Sequence, residues 1–465
     1  MEIIPAGLLA LCIWFTAMCR GAPAAATAIA VMLPFGMLSA FNLPAVGGLS
    51  LKASSVCAGL LVGWLAISHL RLRDILLSRQ SLSGAHLALI FLSIYLVVSA
   101  VINVRIFQGE IEVFSLGRGI ERSGKGAIGM LTPLRPGWSN VSQSFYMLLS
   151  ISFFFAILMI IRRYGFFWIH RALIIVASVH LVLSVLDAIE LDALLSLIRT
   201  ANYALLTHHQ VHGFARIIGG FAEPSAFGSF SSTLLGYFAL HTFISKSWNS
   251  GFLALALGLC VVVSFSSTAY FGSFVVVMFL LFAILRTTFF GQGIPSGFVY
   301  IGWLLCVTGL VLLMLNTERV EQVLDSLIFN KASSASGYER GLWARYGFKT
   351  FIDTYGLGAG VGSIRSNGWI AVYLGSMGIP GFLCACAFWL QILLQPMKHF
   401  LSDEKSAIYI GCKAAVLAAV MMKFASATTP DPGLALMLFA GCICGLRQGA
   451  DEEFDEEVYL KEGPA

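Results

Sequence analysis

"GFLALALGLCVVVSFSSTAYFGSFVVVMFLLFAILR", Gly251 to Arg286, carries no charge until its last residue. As one helix it would exceed about 50 Å at 1.5 Å per residue, against a hydrocarbon core of about 30 Å. The polar triplet Ser266-Ser267-Thr268 offers a break, which gives two spans, 251–267 and 269–286. Similar apolar runs recur along a chain that is 58% hydrophobic and only 11% charged. Mean hydropathy is +0.85. Soluble domains carry about 25% charged residues, so a soluble enzyme is excluded. An all-α polytopic membrane bundle is expected.

The expected spans are 3–19, 23–40, 53–70, 86–104, 143–161, 169–187, 224–244, 251–267, 269–286, 297–315, 379–396, 406–424 and 433–447. These thirteen form one integral-membrane domain, 1–447, followed by an acidic tail, 448–465, read as a solvated, flexible end. Residues 367–378 read as a half-length helix ended by Gly378 and Pro380. Such a segment is tolerated only where protein or water covers its ends. The first apolar run has no basic segment before it and reads as a span, not a signal peptide. All ten cysteines lie in or beside apolar segments, a poor placement for a disulfide framework or a zinc site.

Net charge is a modest +5, and its distribution says more. Short basic loops (Arg71, Arg73 and Arg79; Arg162, Arg163 and Arg171; Lys398 and Lys405) alternate with three long ones, 105–142, 188–223 and 316–366. The positive-inside rule puts the short set and the tail in the cytoplasm and the long loops outside. Yet the long loops are rich in arginine: Arg105, Arg118, Arg122 and Arg135, then Arg199 and Arg216, then Arg319, Arg340, Arg345 and Arg365. Two explanations stand at this point. One is an anionic ligand at the outer boundary; the other is ordinary pairing with Glu110, Glu112, Glu121, Glu318, Glu321 and Glu339.

Within the second long loop, His208, His212 and Arg216 would share a face if helical. Two histidines at that spacing can ligate a metal, but no acidic residue lies near enough to complete the site, so polar or interfacial contact is favoured. Residues 191–206 have helical apolar spacing and are expected along the interface. "GGFAEPS", Gly219 to Ser225, places Glu223 before Pro224, an arrangement suited to the first turn of a helix. Glu223 is then either only a cap or a carboxylate able to accept a proton from a hydroxyl.

Within the third, "SGYERGLWARYGFKTFIDTYGLGAGVGS", Ser336 to Ser363, predicts a helix over 339–352 and then a glycine turn. Arg340 and Arg345 lie about 140° apart on it, flanking a face rather than sharing one. Arg345 and Lys349 share a face, and Leu342, Trp343 and Tyr346 form an edge fit for the interface. Glycines 356, 358, 360 and 362 let the backbone approach something closely. Ser366 or Asn367 can cap the half-helix, and a helix N-terminus beside arginines suits an anion. Gly358-x-Gly360-x-Gly362 is not a dinucleotide fingerprint, because no strand precedes it.

"RGLW" (Arg340 to Trp343), "GLGAGVGS", "GSMGIPG", "FAEPSAFGSF" after Arg216, and "SFSSTAYFG" together resemble the O-antigen polymerase and ligase superfamily. The specific parts of the resemblance are 216–230, 264–272 and 336–381. It implies a GT-C-like glycosyltransferase of the bacterial inner membrane with its active face in the periplasm. The polymerase branch moves a growing glycan from undecaprenyl pyrophosphate onto the next lipid-linked repeat. It uses no metal, cofactor or nucleic acid, and its partners are membrane lipids, a flippase and a chain-length regulator. On this reading Arg340 and Arg345 bind the leaving pyrophosphate, and Glu223, or His212 second, positions or deprotonates the acceptor hydroxyl. Substrate contacts are expected from Arg216, Tyr338, Lys349, Gly358, Gly360 and Arg122. The ligase branch is associated with a histidine in its large loop, and 316–366 contains none. A ligase remains the alternative, and a flippase is a further one. A flippase predicts charged residues inside spans and internal repeats. Lys413 lies in a span, Asp187 and Lys423 only near span ends, and no repeat is evident.

Overall fold

The computed structural model describes residues 2–43, 49–68, 84–114, 131–202, 210–211, 214–289, 335–395 and 403–462. It is mostly helical, with a few short strands. Among the described residues six helices are long and apolar enough to cross a membrane: Gly84–Ile106 (α4), Trp138–Tyr164 (α5), Phe167–Ala188 (α6), Ser267–Leu285 within α10 (Ser267–Phe289), Trp369–Leu394 (α12) and Asp403–Ser426 (α13). This is fewer than the thirteen spans expected. Residues 297–315 lie outside the described part.

Several apolar segments are shorter helices: α1 (Pro5–Met18), α2 (Ala22–Met32), α3 (Ala53–Ser68) and α9 (Trp248–Val263). The expected span 23–40 is cut at Met32. Pro34 follows, and the chain turns into strand β2 (Ser39–Leu43), which lies between β1 (Glu2–Ile3) and β3 (Leu49–Lys52) in an antiparallel sheet. Proline lacks the N–H that a continuing helix needs and disfavours the helical backbone before it. Two antiparallel hairpins follow, one of β4 (Glu112–Phe114) with β5 (Leu131–Pro133), the other of β6 (Gln210–Val211) with β7 (Phe214–Ala215).

The second hairpin makes 210–211 and 214–215 strand, so the helical condition under which His208, His212 and Arg216 would share a face is not met there. His208 and His212 themselves lie outside the described residues. Of the segment 191–206, expected to be helical, the described residues 191–202 are helical only at α7 (Asp192–Ser196), and 203–206 lie outside the described part. Beyond α7, the N–H groups of Thr200 and Ala201 bond to the Met37 carbonyl, which ties this loop to the turn after α2.

α8 (Pro224–Ser245) is a central helix packed on α9, α10 and α13. Most of it is buried against protein, so it needs less hydropathy than a lipid-facing span. Its small residues allow the close approach: a Cβ on Gly228 would meet Ala269 and Ser264 at 2.6 Å. The core it joins contains Phe153 and Phe154 of α5, Tyr237 and Phe238 of α8, Phe388 of α12 and Phe439 of α14 (Leu434–Glu462). α14 continues through the acidic stretch to Glu462, where a flexible end was expected.

The expected break in 251–286 falls at Ser264-Phe265-Ser266, with Phe265 in a left-handed conformation, φ 44°. The half-helix is also present. α12 is interrupted at Gly378, whose φ of 59° and ψ of −160° are not helical. Its freed backbone groups are taken up by the glycine run. Ala359 N–H donates to Gly375 O at 2.8 Å, Gly360 N–H to Ser376 O at 2.8 Å, and Ile379 N–H to Gly356 O at 2.9 Å. An unsatisfied backbone group at membrane depth costs several kcal/mol. The glycine loop thus serves as the cover that the half-helix requires.

Candidate functional site

α11 (Ala335–Asp353) carries the arginines of the third loop and crosses α12 on glycines. A Cβ on Gly375 would meet the Gly347 carbonyl at 2.7 Å. This crossing sets Arg340 and Trp343 towards the start of α8. Trp343 is buried, and the Arg365 guanidinium lies over its ring, 4.0 Å from the centroid. Arg365 is itself fixed by its backbone N–H, which donates to Phe114 O at 2.6 Å. Phe114 meets Tyr346 of α11 edge to face at 4.7 Å.

Arg340, Trp343 and Arg365 line a cavity of about 670 Å³ where α8 and α14 begin and α13 ends. Glu223, Arg340, Arg365, Lys423 and Glu339 are its charged residues, and Ser225, Ser229, Thr233, Thr428 and Thr429 supply hydroxyls. The positive ends of α8 and α14 add to three cations, against two carboxylates. Among the described residues neither Arg340 nor Arg365 is ion-paired with a carboxylate. Both guanidinium groups are therefore open to an anionic ligand. The Lys423 ammonium donates to Asp431 O at 3.2 Å. Burial pushes the Asp431 carboxyl up, while the Gly433 N–H, Ser150, Lys423 and Lys52 work against that shift.

Glu223 occupies the N-cap position of α8 in extended conformation, φ −148° and ψ 153°, with Pro224 in the first turn. Its side chain makes no capping bond to the helix. Ser225 Oγ donates to Glu223 Oε1 at 2.6 Å instead. The carboxylate is half-buried at the cavity wall, where it can accept a further hydrogen bond or a proton.

Not every expected residue reaches this cavity. Arg216 spends its guanidinium on the end of α9, donating through Nε to Ser264 O at 3.2 Å and through NH2 to Phe265 O at 2.9 Å. Burial lowers its pKa, Glu223 and Tyr270 raise it, and Arg340 lowers it, so it sits within the field of the site without lining it. Arg345 is exposed on another side of α11. Lys349 is exposed and pairs with Asp353 at 2.5 Å, which raises its pKa. Tyr338 is exposed and does not line the cavity.

Gly358 and Gly360 face protein. A Cβ on Gly358 would lie 2.5 Å from Gly378 N, and one on Gly360 would run into Val104 and Ser99. Ser366 and Asn367 do not cap the half-helix: Gly368 holds that position, Ser366 Oγ donates to Trp343 O at 3.3 Å, and Asn367 Nδ2 donates to Ala425 O at 3.3 Å. His212 and Arg122 lie outside the described residues.

Arg365 and Lys423 are the cavity cations that the sequence reading did not assign to the site. Arg365 was visible as the arginine just before the half-helix, an anion-binding position. Lys423 carried no local signal beyond a charge near a span end. No protein-family model matches the chain, and no curated protein and no solved structure matches it.

Proposed function

We propose that this chain is a polysaccharide polymerase, moving a growing glycan from undecaprenyl pyrophosphate onto the next lipid-linked repeat. The observation that carries the reading is one cavity that gathers a carboxylate, Glu223, with the guanidinium groups of Arg340 and Arg365, which have no carboxylate partner among the described residues. In the proposed reaction the acceptor hydroxyl oxygen bonds to the anomeric carbon of the donor glycan. The bond from that carbon to the pyrophosphate oxygen breaks, and its electron pair leaves with undecaprenyl pyrophosphate. Glu223 takes the hydroxyl proton. Arg340 and Arg365 bind the charge that develops on the leaving oxygen, in a site walled by protein where such contacts are strongest. Lys423 adds a third positive charge.

On this reading the protein is a polytopic bundle of the bacterial inner membrane, and the cavity opens on the periplasmic side. The resemblance of "RGLW" and "FAEPSAFGSF" to the O-antigen polymerase and ligase superfamily supports this assignment, since both segments supply cavity residues. The test is turnover of a purified lipid-linked repeat by the reconstituted protein. Chains of several repeats on the carrier support the polymerase, and transfer only to a lipid A core or protein acceptor would favour the ligase. Transbilayer movement without new glycosidic bonds would favour the flippase and overturn the enzyme reading.

A further inference from the structure

A second and larger hollow lies on the flank of the bundle. α2 packs on both α1 and α6, which make no substantial contact with each other. The gap between them, floored by α2, is a groove of about 1200 Å³. That is beyond the roughly 300–1,000 Å³ of pockets for drug-sized ligands. Its walls are apolar along most of their length: Leu9 and Ile13 from α1, Ala24 and Ala28 from α2, Ile175 and Val179 from α6.

One end differs. Arg20 follows α1, Arg171 lies in the first turns of α6, and Trp168, in the first turn of α6, lines the same groove. Both arginines are exposed, and among the described residues no acidic residue lines the groove and neither arginine has a carboxylate partner. Phe35 and Leu38, past the other end of α2, line the opposite end. There the loop before α8 packs close: a Cβ on Gly220 would lie 3.2 Å from Phe35 Cα and 3.3 Å from Leu183, near the end of α6. α2 and α6 therefore run in the same direction, and the two arginines share one mouth.

The length of the groove limits its occupant. From Pro23 to Met32, where α2 ends, the helix rises about 14 Å at 1.5 Å per residue, close to one leaflet of a core about 30 Å thick. A charged mouth, an aromatic residue at headgroup level and an apolar trough one leaflet deep match a single class of ligand. We infer that this groove binds an anionic glycerophospholipid of the leaflet opposite the polar cavity, with its phosphate between Arg20 and Arg171 and its acyl chains along α2. The site is separate from the proposed transferase cavity and does not depend on that reading.

The experiment uses the full-length, delipidated protein in detergent and counts bound lipid by native mass spectrometry. The probes are phosphatidylglycerol and phosphatidylcholine with identical acyl chains. Two basic residues at a headgroup predict a preference of roughly 30-fold for phosphatidylglycerol. The double variant Arg20→Ala, Arg171→Ala changes only exposed side chains and is expected to reduce that preference to about threefold or less. Ala24→Trp keeps both arginines but fills the trough, and is expected to lose the tightly bound phosphatidylglycerol. Equal binding of the two lipids by the unaltered protein would overturn the proposal, as would an undiminished preference in the double variant. Retention by Ala24→Trp would place the lipid on the arginines outside the groove, and would overturn it equally.

Discussion

The polar cavity and the apolar groove each set two arginines without a carboxylate partner among the described residues beside a hollow, and the groove is the larger, about 1200 Å³ against about 670 Å³. Size therefore does not mark the chemistry. The cavity adds a carboxylate, Glu223, a lysine, and the N-termini of two helices. The groove adds hydrocarbon. An arginine pair over hydrocarbon can hold an anionic headgroup and do nothing further. An arginine pair facing a carboxylate can hold a leaving anion while a proton is removed elsewhere in the same space.

The largest expected effect tests the cations. Arg340→Ala or Arg365→Ala should lower turnover of a lipid-linked repeat by about 10²–10³-fold, the scale of losing one charge-stabilising group. Both proteins should insert at normal levels, because neither guanidinium bonds to a carboxylate among the described residues. Arg365→Ala also removes the ring contact with Trp343, so Arg365→Lys serves as its control. Lysine keeps the charge but loses the planar fork, and should recover only part of the activity. Full turnover by both alanine variants would reduce the cavity to a polar void.

Glu223→Gln asks whether cavity and groove differ in kind. Glutamine keeps the size of the side chain and can still accept from Ser225 Oγ, so the start of α8 should be preserved. Loss of a general base predicts a fall of about 10²-fold or more in the maximal rate, with donor binding unchanged. If turnover is unaltered, Glu223 is only a helix-start residue, and the cavity becomes another anion site of the groove's kind.

Gly358→Ala tests the scaffold beneath the cavity. Gly358 has φ 79°, and a Cβ there would lie 2.5 Å from Gly378 N and 2.7 Å from Met377 N, both backbone atoms unable to swing aside. Left-handed strain and overpacking together predict a stability loss of about 2–4 kcal/mol. Thermal unfolding in detergent should show it as a lowered midpoint, while the groove's lipid preference at low temperature stays as it was. An unchanged midpoint would mean that the break in α12 has another cover.

The half-helix and its glycine cover show how much of the fold could be read from the chain. Gly378 and Pro380 announced the break, and alternating glycines announced a close approach, because both signals are local and steric. That the two features answer each other depends on contacts between distant residues, such as Ala359 N–H with Gly375 O, which no spacing encodes. Glu223 was legible for the same local reason: a proline follows it at a helix start. Lys423 was not, since a lysine near a span end has the same surroundings in sequence whether it faces a cavity or a headgroup. Whether His208, His212 and Arg216 share a face was left conditional on a helix, and the described residues 210–211 and 214–215 pair as strands instead, which spacing alone does not reveal.

Arg345→Ala is the smallest effect and the most discriminating about α11. The helix puts Arg340 and Arg345 about 140° apart, so a single cavity on one side of α11 cannot take both. The structure fills the second cationic place with Arg365, which approaches from the adjoining loop and lies over Trp343. Arg345 is left exposed, without a carboxylate partner among the described residues. Removing it should change turnover by less than about threefold, in line with the few tenths of a kcal/mol typical of exposed charges. It should also leave the Arg340→Ala defect unchanged when the two substitutions are combined, since separated residues with no shared partner behave additively. A loss of 10²-fold in Arg345→Ala alone would mean that α11 turns about its axis when the donor binds, presenting Arg345 in place of Arg340. The cavity seen here would then be the resting arrangement of a site that assembles on its substrate.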